Sequence, residues 1–299
     1  MSTTNSDPKV EKKSKFILAI AVVSIAIVVF LAYLVYNFLI LPNLVQMSVS
    51  KNLDIYKNYS SESQKLLDKI ESESKYVEVN EVQNSLKKIE NIKPEVEKLS
   101  ILKNDLNSGP TKNTQNFSKN LSSKMIADQS LKTYLNFKIC LFEKYNKEAS
   151  YVQEIASLST KLRENDKQPT DGEMSAYFGA TTQLFSDVKI NIQSLKDCYS
   201  GDYAAYESDE TKSAIEVYEN SMQSAIDIMQ QVNKFYKENN QEKFNEKVAE
   251  LNNIDGNKSF FSINNETKTT GKALEIVKKD IQNQTTSLEE LEKLAKEVK

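Results

Sequence analysis

The side chains able to do chemistry in this 299-residue chain are two cysteines, Cys140 and Cys198, and 42 acidic residues; there is no histidine. Without histidine the chain has no imidazole metal ligand, no Ser-His-Asp or Cys-His nucleophile system and none of the commonest general base. Two thiols do not complete a structural zinc site. The six glycines are all isolated, so no glycine-rich phosphate loop exists. Carboxylate chemistry remains. Glu207, Asp209 and Glu210 cluster, as do Glu289, Glu290 and Glu292, but such runs on amphipathic helices are ordinarily solvated faces. Asp202 to Glu210 forms an acidic loop whose spacing misses the calcium-binding pattern. The chain is therefore expected to hold no cofactor or metal and to catalyse no reaction. Tyr199, Tyr203 and Tyr206 surround Gly201. They form either a surface for a small molecule or partner, or core and capping aromatics.

The cysteines carry geometry. Cys140 and Cys198 are each 29 residues from Pro169. If the segments on either side of Pro169 form an antiparallel helical hairpin, residues equidistant from the turn sit at equal height. The spacing predicts a Cys140–Cys198 disulfide, in a compartment where disulfides persist. On a chain-entropy basis a loop of that length contributes roughly 4 kcal/mol. Cys140 is offset from Phe137 and from the centre of its apolar stripe, which places the bond at the bundle rim.

The elements that must position these residues are helices. Six glycines and five prolines in 299 residues are far fewer breakers than the ~12% usual in globular chains. Between the breakers, apolar residues recur at three and four, the amphipathic helical period. The reading is all-α, with helices over 43–74, 80–106, 116–165, 172–200, 206–239, 241–254 and 266–298. Thr170 with Glu173 and Asn80 with Gln83 fit capping boxes. Gly201 fits a left-handed terminator, and Pro94 is expected to kink 80–106. Tyr76 to Val79 alternates like a strand without a partner and reads as a linker.

Phe16–Leu41 is a run of 26 uncharged positions preceded by Lys9, Lys12, Lys13 and Lys15. A helix rises ~1.5 Å per residue, so about 20 apolar residues span a bilayer core. The run is too long for a cleaved signal core and lacks a small-residue cleavage pair, so it reads as an uncleaved signal anchor. The lysines place residues 1–15 in the cytoplasm and the large C-terminal part outside. That part is mildly acidic, since the tail is basic while the whole chain is −3, which argues against nucleic acid as a partner. A single arginine, Arg163, leaves almost no bidentate phosphate or carboxylate recognition.

Two segments keep a stricter 3.5-residue period. Val45, Val49, Asn52, Tyr56, Tyr59, Ser63, Leu66 and Ile70 form one stripe. Leu274, Val277, Ile281, Gln284, Leu288, Leu291, Ala295 and Val298 form the other. They are either outer helices of one bundle or a stalk that joins copies of the chain through Leu274, Val277, Ile281, Leu288 and Leu291, with Asn52 and Gln284 fixing register. The expected layout is a 1–15 tail, a 16–41 anchor, membrane-proximal helices over 42–115, a central helical bundle over 116–254 and a coiled-coil-like helix over 266–299. The expected function is a non-catalytic, membrane-anchored binding or scaffolding protein of the cell envelope with a protein partner. A ligand-sensing ectodomain working through a membrane partner is the alternative. A carboxylate-based hydrolase of wall polymers is a third.

Overall fold

The computed structural model describes residues 24–74, 81–164, 169–254 and 271–298. The lysine-rich tail, the first part of the apolar run, the 76–79 linker, Asn80 and the 255–270 break lie outside the described residues. Every regular element among the described residues is helical, as the scarcity of breakers requires. Helix α1 runs from Ser24 to Glu73 with one π-turn at Tyr36–Ile40. It is followed by α2 (Val82–Glu90), α3 (Lys93–Asn104), α4 (Lys112–Lys124), α5 (Ala127–Glu164) and α6 (Asp171–Leu195). Two 3-10 turns, Lys196–Tyr199 and Gly201–Tyr206, lead into α7 (Asp209–Lys237), α8 (Gln241–Asn253) and α9 (Gly271–Glu297).

The N-terminal part of α1 has an 18-residue window of mean hydropathy 2.4, none of it buried. It is long and apolar enough to cross a membrane. Asn37, the one strongly polar residue in that stretch, donates from Nδ2 to the Tyr33 carbonyl at 2.9 Å, so its amide is satisfied within the helix.

Two expected helices divide. Where 80–106 was expected to kink, the chain ends α2 at Glu90 and restarts α3 at Lys93. Glu90 is the residue four before Pro94, whose carbonyl the proline ring would strike. In the first turn of a new helix the missing proline N–H costs nothing. The N-cap of α2 is Glu81, without a side-chain cap bond. The 116–165 helix is two, broken at Met125 and Ile126, where there is neither glycine nor proline. With its carbonyl oxygen turned toward α5, the Gln284 side chain accepts from the amides of Ile126 at 3.1 Å and Ala127 at 2.9 Å. A cap supplied from about 160 residues away is invisible to local sequence.

Other ends follow local rules. The Thr170–Glu173 capping box is present at α6. Gly201, at φ +58°, does not end a helix running to 200: that helix stops at Leu195, and Gly201 opens the second 3-10 turn after the extended Ser200. The end of α7 is a Schellman motif with Asn239 at φ 54°: the Asn240 amide donates to Phe235 O and the Asn239 amide to Tyr236 O.

The chain divides into two compact units. The first comprises residues 1–58, 103–124 and 286–299, the second 59–102 and 125–285. The long helices near both ends supply residues to both.

In the first unit Val45, Val49, Asn52, Tyr56, Phe117, Leu121, Leu291 and Ala295 are buried. Asn52 does not pair with another helix. Its Nδ2 donates to the Asn107 carbonyl at 2.6 Å and its Oδ1 accepts from the Asn107 amide at 2.8 Å, so it staples the loop after α3. Gly109, at φ +71°, completes that loop: a Cβ there would lie 2.4 Å from Thr114 Oγ1 and 2.8 Å from Ser48 Oγ. Glu290 and Glu292 of the acidic run form exposed ion pairs with Lys124 and Lys57. Asn52→Ala removes both hydrogen bonds and is expected to cost about 2 kcal/mol, read as a lower urea midpoint with unchanged slope.

In the second unit α2 packs on α5, α5 on α6, α6 on α7 and α7 on α8. The core holds Tyr59, Leu67, Ile70, Ile89, Leu131, Tyr134, Leu135, Phe137, Leu141, Ile192, Val277 and Ile281. A smaller apolar cluster of Phe178, Met229 and Val232 is covered by Phe244, Val248 and Leu251 of α8. All eight residues of the first seam are buried, as are Val277, Ile281, Gln284, Leu291 and Ala295 of the second; Leu274, Leu288 and Val298 are half-buried. Both stripes are thus largely spent within one chain.

Candidate ligand groove

The expected Cys140–Cys198 disulfide is present, with Cα atoms 5.8 Å apart. It lies deeper than the rim: Cys198 is fully buried and Cys140 half-buried. The reason is that α6 ends at Leu195 and Cys198 lies in the 3-10 turn Lys196–Tyr199, where it is buried beside Tyr199. The bond ties that turn to the middle of α5.

Around it the three tyrosines gather on one ring. Phe137 meets Tyr199 at 5.2 Å and Tyr206 at 5.1 Å, both edge-on, and Tyr203 at 6.0 Å. Tyr203 also stacks on Tyr206, with centroids 6.3 Å apart and planes 27° apart. Tyr199 and Tyr206 are buried and belong to the core. Of the three, only Tyr203 stays half-exposed. Burial pushes the Tyr206 hydroxyl up to about 12, with Asp280 and Tyr203 adding to it. Burial also raises Tyr203, reinforced by the neighbouring Asp202 carboxylate.

Tyr203 borders a polar groove of about 450 Å³. Its long wall is the start of α5, where Asp128, Lys132 and Asn136 recur every four residues and so share a face. Gln129 and Thr133 lie between them. Asp202 and Tyr203 border it from the second 3-10 turn, and Ser100 from α3.

Asp128 is fixed from two sides. Tyr59 Oη donates to its Oδ1 at 2.8 Å and accepts from its backbone amide at 2.8 Å, and Ser100 Oγ donates to its Oδ2 at 2.9 Å. Each carboxylate oxygen keeps acceptor capacity beyond that one bond. Among the described residues, Gln129, Lys132, Asn136 and Asp202 make no side-chain hydrogen bond or ion pair. The groove thus joins a held carboxylate and a held ring to uncommitted donors and acceptors.

The sequence pointed to Tyr203 but not to Asp128, Lys132 or Asn136. Their i, i+4, i+8 spacing was the available signal, and it looks like any solvated helix face. The other acidic candidates lie apart from the groove. Asp209 and Glu210 occupy the first turn of α7, where carboxylates favour the positive end of the helix dipole, and Glu207 pairs with Lys212. Among the described residues no group of three or more metal-ligating side chains converges. Compared with known proteins, the chain matches no family, no curated protein and no solved structure.

Proposed function

We propose that this chain is a membrane-tethered binding protein of the cell envelope. Its basic tail lies in the cytoplasm, its helical domain lies outside, and ligand or partner recognition takes place at the Tyr203 groove. The observation that carries this reading is the continuity of α1. One helix of 50 residues begins as an apolar segment none of which is buried and, from Val45 on, buries one face into the fold at three- and four-residue intervals. An anchor that is also a core helix holds the residues beyond the membrane without a flexible linker, which suits a scaffold. Binding rather than catalysis is favoured by the absence of histidine from the chain and by a carboxylate, Asp128, whose hydrogen bonds hold it in place. The homotypic stalk reading loses support because Val277, Ile281 and Leu291 are buried within one chain.

The same continuity favours a second reading, a sensory ectodomain acting through a membrane partner. A rigid helix would carry a change in the domain into the membrane, and the π-turn at Tyr36–Ile40 is a kind of defect that often sits at functional positions.

External protease on intact cells is expected to degrade the domain beyond residue 43 and leave the anchor. Protection until lysis would reverse the orientation and remove the envelope-facing groove.

A further inference from the structure

We infer that the Tyr203 groove binds a neutral saccharide, a reading that rests on the groove being the recognition site proposed above. A sugar ring offers an edge of hydroxyls, each both donor and acceptor, and a face of C–H groups. The groove offers acceptors at Asp128 and Asp202, donors at Gln129, Lys132 and Asn136, and one aromatic ring.

That ring is not free to turn away. Tyr203 is backed by Phe137 and Tyr206, and the 3-10 turn just before the one that carries it is tied to α5 by the Cys140–Cys198 bond. A platform already in place spares the ligand the cost of ordering it. From Asp128 to Asn136 the α5 wall is ~12 Å long at ~1.5 Å per residue, the reach of a linked pair of sugar rings.

Other ligand classes fit less well. Phosphate or an acidic polymer would meet two carboxylates against one lysine, with no arginine and no glycine loop. A divalent cation would find Asp128 held by two hydroxyls and Asp202 as its one further carboxylate in the groove. A peptide gains most from apolar anchor pockets or a free strand edge, and this groove holds one ring. A basic peptide is the nearest competitor, because the two carboxylates would attract it.

The test is isothermal titration of the full chain in lipid nanodiscs with N-acetylated chitotetraose, cellotetraose and maltotetraose, and with tetralysine as the competing class. At least one sugar should bind saturably with Kd in the millimolar range or tighter. Tyr203→Ala should weaken it tenfold or more, Tyr203→Phe less than twofold, and Lys132→Ala, on the exposed wall and outside the core, at least threefold. Helical signal and melting temperature should hold for Lys132→Ala, so that its loss reports the site and not the fold. Sugar binding indifferent to both Tyr203→Ala and Lys132→Ala would place it elsewhere and overturn the inference. Tetralysine binding that is lost with Asp202→Asn, without sugar binding, would overturn the ligand class and leave the groove as a recognition site. No binding by any of the four probes overturns the inference as well, while the membrane-tethered reading stands or falls on the protease experiment.

Discussion

Reducing the Cys140–Cys198 bond is expected to lower the stability of the domain by about 4 kcal/mol, or roughly 10 °C in melting temperature. The bond closes a loop spanning 58 residues, so most of the effect lies in the unfolded chain, which gains freedom when the link is cut. Equal spacing about Pro169 implies equal losses for Cys140→Ser and Cys198→Ser, because either opens the same loop. Burial breaks that symmetry. Cys198 is fully enclosed while Cys140 is half-exposed, so a serine at 198 adds the cost of a buried hydroxyl, about 1–2 kcal/mol more. Thermal melts of the two variants, with and without reductant, would falsify this ordering if Cys140→Ser proved the more damaging. Loss of the bond also frees the 3-10 turn that leads into the one carrying Tyr203, so any ligand of the groove should bind more weakly to the reduced protein than to the oxidised one at a temperature where both are folded.

How much of this was legible beforehand depends on whether the controlling interaction was local. Burial along Val45 to Ile70 follows the 3.5-residue stripe residue by residue, because a helix buries whichever face carries its apolar side chains. The disulfide followed from the same regularity, since two helices about one turn convert sequence distance into height. Pro94 marks a disturbance in the sequence, but its cheapest accommodation, a restart with proline in the first turn, has the same local signature as a kink. The α4–α5 break and the role of Asn52 were not legible. Each depends on an amide meeting backbone groups far away in sequence: Gln284 caps α5 and Asn52 staples Asn107. A polar residue in an apolar stripe signals only that something unusual sits there.

The groove was half legible. Three tyrosines around a glycine marked the place, and which of them face solvent was decided by Phe137, 62 residues before Tyr199. Two went inward because an edge-on contact with a buried ring stabilises an aromatic pair by ~0.5–1.5 kcal/mol beyond area burial. The third is left over where the turn runs out of core to cover it. Asp128 needed Tyr59 and Ser100, from α1 and α3, to become a fixed group, and no spacing along α5 contains them.

Those buried tyrosines lead to the other large effect, which is alkaline. Raising the pH from 10 to 12 is expected to unfold the second unit cooperatively. Burial holds Tyr206 up to about 12. It drives Tyr59 and Tyr199 higher still, with the Asp128 carboxylate adding at Tyr59 and Tyr145 and Glu207 adding at Tyr199. In the unfolded chain all three would titrate at about 10. Above that pH the unfolded state gives up protons that the folded state keeps, so stability falls as pH rises and is unaffected below it. Each tyrosine contributes a slope of up to ~1.4 kcal/mol per pH unit until its own folded value is reached. Three acting together remove several kcal/mol by pH 12, comparable to the ~5–15 kcal/mol total of an ordinary domain. Lysines discharge in the same range, but exposed ion pairs such as Lys196 with Glu219 contribute under ~1 kcal/mol each. Phenolate absorbance should therefore include a late stage coincident with loss of helical dichroism. Tyr206→Phe keeps the ring and removes the proton, so its stability should fall less steeply between pH 10 and 12. If all 14 tyrosines ionise near pH 10 while helicity persists, the rings around Phe137 are wetter than their burial implies, and the groove they support is less firmly built.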